Sequence, residues 1–154
     1  MFRKIVWATD GSELASRSLP FARDLAREPG AELLVLHVDQ LLVGRAAGTS
    51  ALADEGDVRR RISGQVDELK AEGIDARFVL VRESTIAVGS EIARVAEAED
   101  ADLVVIATHG RGLVGTLLHG SVAKKLLHGV PCPVLVVPVE HLAKVPEPPA
   151  ACAV

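Results

Sequence analysis

The chain offers little sulfur: two cysteines, Cys132 and Cys152, are all it has. They cannot build a disulfide framework, and neither sits in a CxxC or zinc-type spacing, so a reduced, cytoplasmic protein is the expectation. No stretch approaches the roughly 20 apolar residues of a membrane span. The apolar run within MFRKIVWATDGS at the N-terminus is broken by Thr9 and Asp10 before it could serve as a signal peptide. Positive charge is not in excess either. With 17 Lys and Arg against 21 Asp and Glu, the formal net charge is −4, which leaves no footprint for non-specific binding to nucleic acid or an anionic membrane. The dense basic cluster Arg59-Arg60-Arg61 is flanked by Asp54, Glu55, Asp57, Asp67 and Glu68 and reads as a solvated helix face.

Arrangements for covalent chemistry are missing as well. There is no nucleophile elbow, no Ser-His-Asp set identifiable from spacing and no paired carboxylate beside a glycine-rich loop. The five histidines, at 37, 109, 119, 128 and 141, show no HxxxH or similar ligand spacing, so a metal site built by the protein is not expected. His37 follows an apolar run and reads as a satisfied core residue. What remains is an ordinary globular composition, 49 % hydrophobic and 25 % charged, in a chain of 154 residues that suits one core.

The apolar runs are short and come at intervals. Lys4 to Thr9 reads as a strand buried on both faces, followed by a turn at Asp10-Gly11-Ser12. Ser12 then starts a helix to about Arg27, in which Pro20 should force a kink or delay the regular part because it has no N–H to donate. Leu33 to Val38 is a second buried strand. Between Asp39 and Gly56 the pattern dissolves into Gly, Ala, Ser and Thr, which predicts a long mobile loop. Val58, Ile62, Val66 and Leu69 recur at helical steps and predict a helix to about Glu72 with Gly73 as its cap. Asp75 to Val81 is a third strand, Ser84 to Glu99 a helix with a misfit Gly89, Asp102 to Thr108 a fourth strand and Val134 to Val139 a fifth. Strand and helix alternate, and the strands are near-continuous apolar runs. That implies an α/β fold, an open five-stranded parallel sheet with helices on both faces, occupying residues 1–140. Residues 141–154, rich in Pro and Ala, read as a flexible tail.

Chemistry concentrates between Asp102 and Pro138. An apolar strand opens there into a glycine-rich loop, and Gly120-Ser121 heads a helical segment that closes at Gly129. Glycines let backbone N–H groups approach an anion, and a helix N-terminus adds its unpaired donors and dipole, so this is the layout of a phosphate site. Three patterns compete for it. A Walker A motif is nearly spelled by Gly110 to Thr116 but lacks its lysine. A GxGxxG fingerprint is matched by Gly110, Gly112 and Gly115, with Glu140 as an acid at the end of the next strand. That fingerprint belongs in a first βα turn with several strands to follow, and here one follows.

The third pattern is a resemblance. Ala107-Thr-His-Gly110, nine residues and then Gly120-Ser121 resemble the ATP-binding signature of the universal stress protein (UspA-like) family, Gly-x2-Gly-x9-Gly-Ser/Thr. WATDGSELA, LLVLHV, ADLVVIATHGR, GSVAKKLL and PCPVLVVP are similar to family segments in the family's order, over about residues 1 to 139. The resemblance implies a Rossmann-like domain of the adenine nucleotide alpha hydrolase-like kind, usually dimeric, in its ATP-binding subclass. It implies that Asp10, with Thr9 beside it, holds the ribose or adenine side of a nucleotide and that the Val38 backbone meets the adenine edge. Ala107, His109, Gly110 and Arg111 would lie along the ribose and phosphates, and Gly120, Ser121 and Val122 would cradle the phosphate chain. The first signature glycine is Ala107 here, whose extra methyl and restricted φ bear on any close approach.

The expectation is therefore a stress-response regulator that binds ATP, AMP or another adenine nucleotide, with Mg2+ carried by the nucleotide and at most slow ATP hydrolysis. A family member acting by protein contacts without nucleotide, and an NAD-type enzyme, are the alternatives. Asp10 and Ser121 also suit helix capping, and His109 a solvent-facing loop. The resemblance makes the fifth strand an edge, uncharged from Val134 to Val139, and an uncovered edge of that kind recruits a second copy into a homodimer.

Overall fold

Five runs rich in β-branched and aliphatic residues assemble into one parallel sheet. The computed structural model describes residues 1–40, 49–83, 88–107 and 121–138. Its strands are β1 (Lys4–Ala8), β2 (Glu32–Gln40), β3 (Asp75–Glu83), β4 (Leu103–Ala107) and β5 (Val134–Val137), in the order β3-β2-β1-β4-β5. All neighbours run parallel, with Ala8 opposite Leu36 and Trp7 opposite both Val35 and Val105. The chain builds outward from β1 to β3, then crosses back to lay β4 on the other side of β1. The switch in strand order thus falls between β1 and β4, where an open α/β sheet leaves a crevice at the carboxyl ends.

Both faces are covered, as the unbroken apolar runs require. Ile5, Trp7, Leu33, Val35 and Val105 pack on one side with Ala22 and Ala26 of α2 (Leu19–Ala26) and with Val58, Ile62, Val66 and Leu69 of α3 (Thr49–Ala71). Val6, Leu34, Leu36, Val104 and Ile106 pack on the other with Ile92, Val95 and Ala96 of α4 (Val88–Ala98) and Leu126 of α5 (Ser121–Gly129).

Two expectations change. The first helix is split: α1 (Glu13–Ser16) ends before Ser18, and α2 restarts with Pro20 in its first turn. A proline ring would clash with the carbonyl four residues back, so the chain breaks where that carbonyl stands and resumes where the missing N–H costs nothing. The break is put to use. Ser18, fully buried, accepts a hydrogen bond from Trp7 Nε1 at 2.8 Å and donates one to the Ala15 carbonyl at 2.7 Å. The second change is the predicted loop from Asp39 to Gly56, because α3 already begins at Thr49. Residues 41–48 of that stretch lie outside the described residues, as does the tail from 139.

Gly89, a misfit by helix propensity, has a packing reason. A Cβ there would strike the Val122 carbonyl oxygen and stand 3.0 Å from Lys125 Cβ, so its absence lets α4 and α5 approach closely.

Candidate functional site

The carboxyl ends of β1, β2 and β4 meet at the switch point. Thr9 N donates to the Leu36 carbonyl at 2.9 Å, one step beyond the last β1–β2 pair. Carried two residues past Trp7 and Val105, the β1–β4 register sets Thr9 level with Ala107. In a parallel ladder the backbone groups of alternate residues turn to the same side. Glu32 N and Leu36 O both bond towards β1, so the N–H and C=O of Val38 turn the same way, where β1 has given way to Asp10. Thr9, Asp10, Val38 and Ala107 therefore lie side by side at the carboxyl ends of the strands.

The turn after β1 is held from several sides. Thr9 Oγ1 accepts from Gly11 N at 3.1 Å, and Asp10 Oδ1 accepts from Ser12 N at 2.9 Å. The cap of α1 itself is Ser12, whose Oγ accepts from Ala15 N at 3.1 Å. Asp10 thus shapes the turn and leaves capping to Ser12. Gly11 has φ +73°, and a Cβ on it would lie 2.6 Å from Val58 Cγ1, so only glycine fits the turn under α3. Arg61 Nη1 closes the other side by donating to the Gly11 carbonyl at 2.8 Å.

A polar cluster lines the rim between β2 and α3. His37, 4 % exposed, places Nδ1 2.9 Å from the Thr9 carbonyl oxygen and Nε2 2.8 Å from Glu55 Oε1. Asp39, 8 % exposed, pairs with Arg59, and Arg82 Nε of β3 stands 3.9 Å from the same carboxylate. Arg59 Nε is 3.5 Å from Glu55. The reading of Arg59-Arg60-Arg61 as a solvated face holds for Arg60 and Arg61, which are exposed although Arg61 also donates to the Gly11 carbonyl, and changes for half-buried Arg59, which reaches inward to Asp39. Sequence missed the cluster because its members are separated by the stretch read as loop. The acids beside each arginine were the one available signal, and they are not the partners used by Arg61.

Of the other site residues, Ser121 is the first residue of α5, and half-buried Val122 packs with the Val38 side of the sheet. His109, Gly110, Arg111 and Gly120 lie outside the described residues. Among the described residues no group of three or more His, Cys, Asp or Glu is placed to hold a metal ion, and no helix is long and apolar enough to cross a membrane.

The sequence pattern of the Universal stress protein family matches residues 1–138. The chain belongs to that family. One relative, a universal stress protein encoded beside a QAH/OAS sulfhydrylase in Thermus aquaticus, is 34 % identical, the match covering 89 % of this chain and 99 % of the relative. Among solved structures, a universal stress protein from Archaeoglobus fulgidus superposes with a TM-score of 0.68 at 27 % identity, covering 90 % of this chain and 100 % of that one. A universal stress protein from the same organism in complex with dAMP superposes at 0.65 and 25 % identity, over 88 % and 98 % of the two chains. The open parallel sheet expected from sequence is the family's architecture.

Proposed function

We propose that this universal stress protein binds an adenine nucleotide, ATP foremost, in the crevice at the switch point and acts as a nucleotide-dependent regulator in the stress response. The observation that carries the reading is the convergence of Thr9, Asp10, Val38 and Ala107 on one rim at the carboxyl ends of the strands. The related Archaeoglobus protein seen with dAMP supports it. Asp10 holds the ribose or adenine side, and the Val38 backbone, turned towards the gap after β1, meets the adenine edge. Ala107, His109, Gly110 and Arg111 run along the ribose and phosphates. Gly120, Ser121 and Val122, at the start of α5, cradle the phosphate chain with backbone donors and the helix dipole. Mg2+ arrives with the nucleotide and supplies charge neutralisation there; the protein's part is binding and orientation. ATP hydrolysis is at most slow on this reading.

Residues 1–140 form the binding domain and 141–154 a tail, in a cytoplasmic protein. β5 is an edge strand, and Val134, Leu135 and Val136 are only half-buried on it. An apolar edge of this kind suits a two-fold homodimer in which two copies of the strand meet. Sedimentation should show a dimer at micromolar concentration and a shift towards monomer for Val136→Lys.

Mass spectrometry of small molecules released from the denatured purified protein should find an adenine nucleotide. Gly120→Val should abolish ATP binding while the fold survives, because a branched side chain fills the space the phosphates need. Ala107→Gly should keep or strengthen binding. Undiminished ATP binding by Gly120→Val would remove the loop from the site.

A further inference from the structure

We propose that His37 is a positioning residue for the nucleotide crevice, and that the proton it shares with Glu55 makes nucleotide affinity fall as pH rises. The inference rests on the nucleotide-binding reading above and adds a regulatory element to it. The Thr9 carbonyl can only accept, so Nδ1 of His37, 2.9 Å away, carries a hydrogen. Glu55 Oε1 lies 2.8 Å from Nε2, and an ionised carboxylate also only accepts. One extra proton must therefore reside on the pair, either as imidazolium against carboxylate or as neutral imidazole against carboxylic acid. Remove it and the one N–H left on the ring can serve either the Thr9 carbonyl or the Glu55 carboxylate, so one of the two buried contacts opens.

What that contact holds is the crevice rim. The Thr9 carbonyl belongs to the peptide that presents Asp10, and Val38 is the next residue along β2. Through Glu55 the same imidazole ties both to α3, whose Arg61 braces the Gly11 carbonyl and whose Val58 lies against Gly11. The charged groups facing the pair are Arg59 of α3, Asp39 of β2 and Arg82 of β3, with Asp10 following Thr9 in the turn after β1. Arg59 lies between the two carboxylates and holds Asp39 whether or not the shared proton is present, so the part of the tie that responds to the proton is the bridge His37 makes between Thr9 and Glu55. Histidine is the side chain that ordinarily changes charge between about pH 5 and 8.

Glu55→Gln tests this, because an amide N–H can donate to the unprotonated Nε2 and keeps the tie without the proton. Mg2+ and ATP would be titrated into wild type and Glu55→Gln by calorimetry from about pH 6 to about pH 9. The ratio of the two affinities cancels the titration of ATP itself. Wild-type affinity relative to the variant should fall by roughly fivefold or more across the range, a coupling of ordinary size. A constant ratio overturns the proposal. If neither protein binds ATP at any pH, the functional reading fails and the contact is decided on the ligand-free protein. In that case 15N spectra should show the His37 ring passing from two N–H groups to one as pH rises, with faster amide exchange at Asp10 to Gly11 or at Glu55 to Arg59 in wild type only. A ring with a single N–H throughout, facing an ionised Glu55, overturns the proposal.

Discussion

The two ends of the sheet handle charge in opposite ways. At the amino end, Arg77 Nη2 meets Glu99 at 2.6 Å and its Nε meets Glu32, while Lys4 stands 3.7 Å from Glu32 and 3.8 Å from Glu99. Every one of these side chains keeps a quarter or more of its surface in water. At the carboxyl end Thr9, His37 and Asp39 are all but excluded from solvent and satisfied by specific partners. Exposed pairs cost little to form and contribute little, about 0–1 kcal/mol each. Buried polar groups are expensive to leave unpaired, and a fold that places three of them at one end gives that end a defined geometry. The amino end fastens strands; the carboxyl end fixes the turn after β1 against β2 and α3.

Breaking the carboxyl end should have the largest effect. Gly89→Leu drives a side chain into the Val122 carbonyl where α4 and α5 touch, and should cost about 1–3 kcal/mol or more in urea unfolding. It should also displace the start of α5 and weaken nucleotide binding. Ser18→Ala leaves the Trp7 indole N–H buried without its acceptor and should cost about 1–3 kcal/mol, with a shift in tryptophan emission. An unchanged urea midpoint for both variants would show that this end is more plastic than its contacts suggest.

Amino-end substitutions should be milder. Arg77→Met removes two exposed pairs and should lower stability by less than about 1 kcal/mol, an effect that shrinks further in high salt. The guanidinium pKa is raised first by its hydrogen bond to Glu32 and then by Glu99, against the opposing cost of partial burial. The smallest effect is expected at Asp102. Its carboxylate accepts from Arg3 N at 2.8 Å and from Lys4 N at 2.9 Å, and these bonds hold its pKa below the usual carboxylate value. A depressed carboxylate stabilises the fold above its unfolded-state pKa, and that contribution is lost as pH falls through the folded value. Asp102→Asn should therefore differ slightly from wild type at neutral pH and converge with it in acid, as thermal melts across that range would show.

How much of this was legible beforehand depended on the range of the interaction. The strands were readable because each is an apolar run that only a doubly covered parallel sheet can bury, and Ser12 and Gly73 stood where local rules for helix ends put them. The break at Ser18 was half readable: Pro20 announced trouble, but not that the gap would supply the acceptor for Trp7. The onset of α3 was hidden, because no apolar period precedes Val58 and Gly56 lies inside the helix. With that onset went Glu55, and with Glu55 the partner of His37.

By itself the sequence determined the alternation of strand and helix and the glycine-rich stretch before α5, since both depend on neighbours along the chain. Only the tertiary structure decided that Gly89 serves a helix contact, that Arg61 braces Gly11, and that His37 joins the Thr9 carbonyl to Glu55. Those pairings join residues 18 to 50 positions apart. No local period encodes them, because they exist only once β1, β2 and α3 have packed and excluded the water that would otherwise satisfy each group alone.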